Sequence, residues 1–221
     1  MKPRLWLSWS SGKDSAWALH ALRRQDEYEI AGLLTTINAS ASRVAMHAVR
    51  ETLLDRQAAA AGLPLIKVHI PHPCPNEAYE AAMADAMARA KTENVEAVAF
   101  GDLFLEDVRR YRQEKLAPTG IEPVFPVWGL ETKRLARDMV TSGLRAHVTC
   151  VDPKQLDPKF AGRTFDDAFL DDLPAHADPC GENGEFHSFA FAGPMFRRAI
   201  PVTPGVIVER DGFVFSDLLP A

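Results

Sequence analysis

Ser10-Ser11-Gly12-Lys13-Asp14-Ser15 places small residues and one cation in a row, directly after the apolar run Leu5-Trp6-Leu7. Small side chains let a main chain approach phosphate oxygens, and a helix start offers N–H groups and a dipole to an anion. Lys13 would add a mobile positive charge. The pattern is not a Walker loop, because Asp14 rather than Ser or Thr follows Lys13 and Leu7 stands where the earlier glycine belongs; nor is it G-x-G-x-x-G. Spacing alone leaves two readings open: a phosphate cradle, or a helix capped by Ser10 or Ser11 with Gly12 easing the turn.

Three further groups carry chemistry-bearing side chains. Glu182, Glu185 and His187 surround Asn183-Gly184, a dipeptide typical of hairpin turns. Either the glutamates are solvated and His187 is an ordinary strand residue, or the turn projects carboxylates and an imidazole where a group titrating near neutrality can move a proton. Arg109 and Arg112 share a helical face behind Gly101-Asp102, with Glu114 close by. They suit an anion, although Glu106 could pair with Arg109 or Arg110 on a solvated surface. His72-Pro73-Cys74 offers too few ligands for a zinc site. Met83 and Met87, four apart on an alanine-rich stretch, read as core filling.

The elements that must position these groups alternate. Strands are expected near residues 5–9, 30–37, 65–70, 97–101, 123–125 and 146–151. Helices are expected over 15–24, 44–61, 77–91, 105–116 and 132–142, with Gly62 and Gly143 as stops. Strand and helix in repeated alternation mean an α/β protein with a doubly wound parallel sheet. The loop at 10–15 then lies at the carboxyl edge of that sheet, where ligands collect. Past Asp152 prolines and an acidic stretch, Asp166 to Asp172, change the composition. This predicts a first domain over 1–151 and a smaller C-terminal lobe over 152–221.

Composition sets outer limits. The 221 residues are 47% hydrophobic with a net charge of −5, enough to bury a core and contrary to general affinity for nucleic-acid backbone. Cys74, Cys150 and Cys180 are odd in number and form no CxxC pair, which fits a reducing compartment. The longest apolar runs fall short of a bilayer span, and the N-terminus lacks the pattern of a signal peptide, so a cytoplasmic protein is expected.

Residues 10–15 resemble the SGGKDS signature of the N-type ATP pyrophosphatases, the PP-loop superfamily, with Ser11 in place of the first of two glycines. Met46-His47-Ala48-Val49, Gln57-Ala58 and Gly62-Leu63-Pro64-Leu65 resemble the second helix and third strand of the diphthine-ammonia ligase family. Gly101-Asp102, Arg109, Arg112, Glu114 and Pro126-Val127-Trp128-Gly129 resemble a further block of it. Gly181 to Phe189 is similar to its most specific signature, GE(N/G)GEF(H/E)(T/S)F. The resemblance implies a nucleotide-binding domain of PP-loop type and a C-terminal lobe of α+β structure. It implies adenylation of a carboxylate by ATP and transfer of ammonia to it, with AMP and pyrophosphate released; the family's acceptor is diphthine on elongation factor 2. On that reading Ser10, Ser11, Gly12, Lys13, Asp14, Ser15, His47, Gly101, Asp102, Arg109 and Arg112 surround the nucleotide, and Asp14 or Asp102 holds Mg2+. Lys13, Glu182, Glu185 and His187 serve the chemistry, with the identity of the base open. A homodimer is compatible with this reading. Two alternatives stay open: a PP-loop enzyme that modifies tRNA, and a nucleotide-binding protein without turnover.

Overall fold

The computed structural model describes residues 1–38, 43–44 and 49–221, the pair 43–44 by backbone alone. In chain order the elements are β1 (Arg4–Ser8), α1 (Lys13–Gln25), β2 (Glu29–Asn38), β3 (Arg43–Val44), α2 (Glu51–Ala61), β4 (Leu65–Ile70), α3 (Asn76–Thr92), β5 (Val95–Ala99), α4 (Glu106–Leu116), β6 (Glu122–Val124) and α5 (Thr132–Thr141). There follow β7 (Arg145–Val151), β8 (Thr164–Phe165), α6 (Asp167–Asp172), β9 (Phe186–Ala192), β10 (Val202–Arg210) and β11 (Phe213–Pro220).

The first sheet runs β4-β2-β1-β5-β6 with every pair parallel, and β3 adds an antiparallel bridge to the far end of β2. The chain thus leaves β1 toward β2 on one side and returns to β5 on the other. The space beyond the carboxyl ends of β1 and β5 is the switch point at which open parallel sheets bind ligands. Strand β1 is buried on both faces: Leu5 and Leu7 enter a core with α1 and α2, while Trp6 enters a second core with Val98, Phe100 and Met87. That double burial explains its unbroken apolar pattern. Helix α2 stops where Gly62 takes φ 68° and donates to the carbonyls of Ala58 and Ala59, a conformation glycine enters without Cβ strain.

The C-terminal lobe is antiparallel. Strand β7 lies between β9 on one edge and, on the other, β8 at its start and β11 at its end, with β10 outside β11. The strand expected at 146–151 exists, but it pairs in this second sheet rather than closing the first. Strand periodicity does not report the partner: most of β7 is buried, as a parallel strand would be. Phe160, Phe165, Phe169 and Phe186 pack ring on ring beneath it, with centroids 5.2–5.6 Å apart, and share one core with Leu5, Trp9 and Leu19. The helix expected from Val44 starts only at Glu51, with Val44 paired to Ile37 instead. Among the described residues no helix is long and apolar enough to cross a membrane.

Candidate active site

Helix α1 begins without a side-chain cap. Gly12 occupies the N-cap, and neither serine before it caps the helix. Ser10 Oγ instead accepts from the Gly12 N–H at 3.3 Å and meets Ser15 Oγ at 3.1 Å. The reading of Ser10 or Ser11 as a plain capping residue is therefore not what the chain does: no N-cap side chain covers this helix start.

Gln57 fixes the loop from behind. Fully buried, it accepts from the Trp9 indole N–H at 3.0 Å and donates to the carbonyls of Ser11 at 2.9 Å and Ala190 at 2.7 Å. The Ser11 carbonyl also accepts from the Ala190 N–H at 3.0 Å. One amide thus joins the residue after β1, the loop, α2 and β9. The single sequence sign of this was a polar residue inside an alanine-rich helix. Ser11 itself takes φ 72°, the left-handed region, and its buried Oγ has no hydrogen-bond partner. Its hydroxyl does not reach the cleft.

A cleft of about 1320 Å³ opens over the switch point. Ser10, Lys13, Asp14, Ser15, Gly101, Asp102 and Arg112 line it, and so do Gly181, Glu182, His187 and Ser188. The loop at 10–15 and the segment at 181–188 therefore share one space. They also touch: the Lys13 N–H donates to Ser188 Oγ at 3.2 Å, and Lys13 Nζ to the Cys180 carbonyl. Gly101 brings the end of β5 against the start of α1, where a Cβ would stand 2.9 Å from Asp14 C and Ser15 N.

Lys13 is not mobile. Only 2% exposed, it bonds Asp14 Oδ2 at 2.9 Å and lies over the rings of Phe186 and Phe165. Burial works against its charge, but Asp14, with Glu182 contributing, holds the ammonium above its ordinary pKa. The other oxygen of Asp14, Oδ1, is buried without a partner. Asp102 accepts from Arg112 at 3.4 Å.

The proton-moving candidates separate. Burial pushes Glu182 up to about 7, with Asp14 and Asp102 adding to the rise against a 2.7 Å bond from the Leu103 N–H. Burial, then Lys13, lowers His187 to about 4. His187 lines the cleft as a neutral imidazole, so the expectation of titration near neutrality falls on Glu182 instead. Glu185 does not line the cleft. Its Oε1 accepts from the Asp178 N–H at 2.8 Å and Asn183 Nδ2 at 3.1 Å, bracing the loop from inside. No strand precedes that loop, so Asn183-Gly184 is not a hairpin turn.

Arg109 also turns away. Its guanidinium lies 4.6 Å from the Trp128 ring centroid and 5.4 Å from that of Phe125, outside the cleft. Its partner Arg112 lies over Phe100 within it. His47 falls outside the described residues. Burial raises the thiol of Cys150 to about 12 and that of Cys180 further still, so neither is a thiolate at neutral pH. Among the described residues no three His, Cys, Asp or Glu side chains are grouped to hold a metal ion. Sequence reasoning missed Gln57 as a brace, and it missed the residues that extend the cleft: Thr35 and Thr36 at the end of β2, and Arg210, Phe213 and Phe215 from the β10–β11 hairpin.

The chain is 29% identical over 130 residues to the human diphthine-ammonia ligase, covering 56% of this chain and 48% of that one. It is 30% identical over 129 residues to the Rattus norvegicus protein of the same name (55% and 48%) and 30% over 128 residues to that of Danio rerio (54% and 50%). The chain spans about half the length of these curated relatives. The family description Diphthamide synthase N-terminal domain matches residues 4–120, and Diphthamide synthase C-terminal domain matches 131–214. Between them they cover both of these cleft-lining segments, and the chain belongs to the diphthamide synthase family.

Proposed function

We propose that this chain is an ATP-dependent ligase: it adenylates a carboxylate, joins ammonia to it as an amide, and releases AMP and pyrophosphate. One observation carries the reading. The helix start at 10–15 and the segment at 181–188 line one cleft and are bonded together through Lys13 and Ser188. A nucleotide held by the first presents its α-phosphorus to the second.

The apolar arm formed by Leu34, Met83 and Phe100 beside Thr35 and Thr36 suits adenine. Ser10, Ser15 and the N–H groups at the start of α1 suit the phosphates. The acceptor carboxylate attacks the α-phosphorus, the bond to the bridging oxygen breaks, and pyrophosphate departs. The helix dipole favours the charge that grows there, and the Lys13 ammonium, held by Asp14 and the Cys180 carbonyl, adds a fixed positive charge to the same loop. Asp14 and Asp102 fit Mg2+: Oδ1 of Asp14 is a buried carboxylate oxygen awaiting a partner, and magnesium takes most of its ligands from water and phosphate. The ion would supply neutralisation of the pyrophosphate charge. Glu182, ionising near neutrality, takes a proton from ammonium. The resulting ammonia adds to the acyl carbon, the carbon–oxygen bond to AMP breaks, and a second proton leaves the nitrogen.

Diphthine on elongation factor 2 is the acceptor we propose, after the relatives' name. The cleft supports an acceptor held together with ATP, since it exceeds the roughly 300–1,000 Å³ of a single-ligand pocket. The buried thiols weigh against sulfur transfer to tRNA. Incubation with ATP, magnesium, ammonium and diphthine-bearing elongation factor should yield AMP, pyrophosphate and a protein lighter by the hydroxyl-to-amine exchange. AMP formation that needs tRNA, or ATP binding with no product under any acceptor, would overturn the reading.

A further inference from the structure

Arg23, Arg24, Arg197 and Arg198 gather at the end of the molecule remote from the cleft. Arg23 and Arg24 close α1, and the other two follow β9. Arg23 donates to the carbonyls of Met195 at 2.7 Å and Ala61 at 2.6 Å. The Arg197 N–H donates to the Ala60 carbonyl at 2.8 Å, and its guanidinium lies against Gly62, where a Cβ would meet Cζ at 2.5 Å. All four side chains are exposed.

Exposed arginines elsewhere divide: Arg89 has Glu93, and Arg137 has Asp167 and Asp171, whereas Arg56 donates to the carbonyls of Pro201 and Ala221 and Arg110 has no ion pair among the described residues. Among the described residues none of these four forms an ion pair. The acids nearest in sequence are committed elsewhere, Asp26 to Lys2 and Glu29 to Arg4, and Glu27 pairs with none of the four. The carboxyl ends of α1 and α2 together offer about one negative charge. Roughly three positive charges remain uncompensated, in a chain whose net charge is −5. Neighbouring groups register that field: burial and then Arg197 lower Arg23, and burial followed by Arg24 and Arg23 lowers His20.

We infer that this patch docks a short acidic segment of a partner protein, the guanidinium groups of Arg24, Arg197 and Arg198 taking its carboxylates and Arg23, held by backbone carbonyls, adding charge. A nucleic-acid strand fits less well. The aromatic rings beside the patch, Trp17 and Phe196, are buried and cannot stack on bases. Thirteen residues of α1 put the patch about 20 Å from the phosphate loop. It is therefore a surface distinct from the cleft, and it stands whether or not the proposed reaction does.

Anisotropy of a fluorescein-labelled octaglutamate peptide tests this, with a labelled oligouridine in a parallel arm. Peptide binding at low salt is expected, weakened about tenfold or more by the double variant Arg197→Glu, Arg198→Glu, and weakened likewise by salt near 0.25 M. Arg198→Ala, which removes no bond within the protein, should weaken it about threefold; Arg134→Glu on α5 should leave it unchanged. Thermal melting confirms that each variant is folded. Absence of peptide binding, unchanged binding by Arg198→Ala and the double variant, or tighter binding of the oligouridine would overturn the inference. AMP formation from ATP is read in the same samples, so loss of the patch and failure of the proposed reaction are told apart.

Discussion

The Lys13 backbone N–H donates to Ser188 Oγ at 3.2 Å, across a separation of 175 residues. The loop therefore takes its shape partly from the lobe, and this buried hydroxyl carries part of that coupling, beside the Ala190–Ser11 backbone bond and the Lys13–Cys180 contact. Ser188→Ala should cost about 1 kcal/mol of stability and raise KM for ATP more than it lowers kcat. Calorimetric melting and initial rates measure the two. A variant that melts lower but keeps its KM would make the bond purely structural.

Gly101 has no room for a side chain. A methyl group there would sit 2.9 Å from the backbone of Asp14 and Ser15, so β5 or the start of α1 must move by tenths of an ångström. Gly101→Ala should lower kcat/KM for ATP about 10- to 100-fold while leaving the far-ultraviolet dichroism intact. Unaltered kinetics would mean that the loop tolerates displacement.

The fold was largely legible because its signals are local. Alternating apolar runs and helix stops located most elements of the parallel sheet to within a few residues, and Leu65–Ile70 to the residue. What stayed hidden depends on contacts remote in sequence. Nothing near Arg145–Val151 says that it pairs with β9 and β11. Arg109 and Arg112 share a helical face on paper, yet Trp128 and Phe125 claim one and Asp102 the other. Glu182 and Glu185 are equivalent in the signature; only the folded loop turns one outward to the cleft and the other inward to Asp178.

That division of the arginines is directly testable. Arg112→Ala should raise KM for ATP about tenfold, since it removes a cation from the cleft wall and frees Asp102. Arg109→Ala should leave KM unchanged and cost about 1–2 kcal/mol through lost stacking on Trp128 and Phe125. Rates and melting curves on the two variants decide it; equal KM effects would contradict the placement.

Ser11 is strained at the position where the loop signature it resembles has glycine. It holds φ 72° and buries an unpartnered hydroxyl, two costs that together outweigh the entropy glycine brings to the unfolded chain. Ser11→Gly should stabilise the protein by about 1 kcal/mol, a rise in Tm of roughly 2–4 °C, and should not reduce turnover. A lower Tm would show that the hydroxyl has a partner in solution.

Glu182 makes the sharpest demand on pH. Its folded pKa near 7 stands above the ordinary 4.5, so between those values the folded protein holds a proton that the unfolded chain has lost. Stability contributed by this site is full below pH 4.5, falls as pH rises toward 7, and is flat beyond. Glu182→Gln keeps an oxygen for the Leu103 N–H and carries no charge. It should therefore match the parent near pH 4.5 and exceed it above pH 7, by on the order of 1–2 kcal/mol once screening of this partly exposed group is counted. Activity should move oppositely. As a base Glu182 acts ionised, so ammonia-dependent kcat/KM should rise with pH through about 7, and Glu182→Gln should lose that limb together with about 10²–10⁴ in rate. A variant more stable at pH 8 and still fully active would leave the carboxylate buried for no catalytic reason, and the base would have to be sought elsewhere in the cleft.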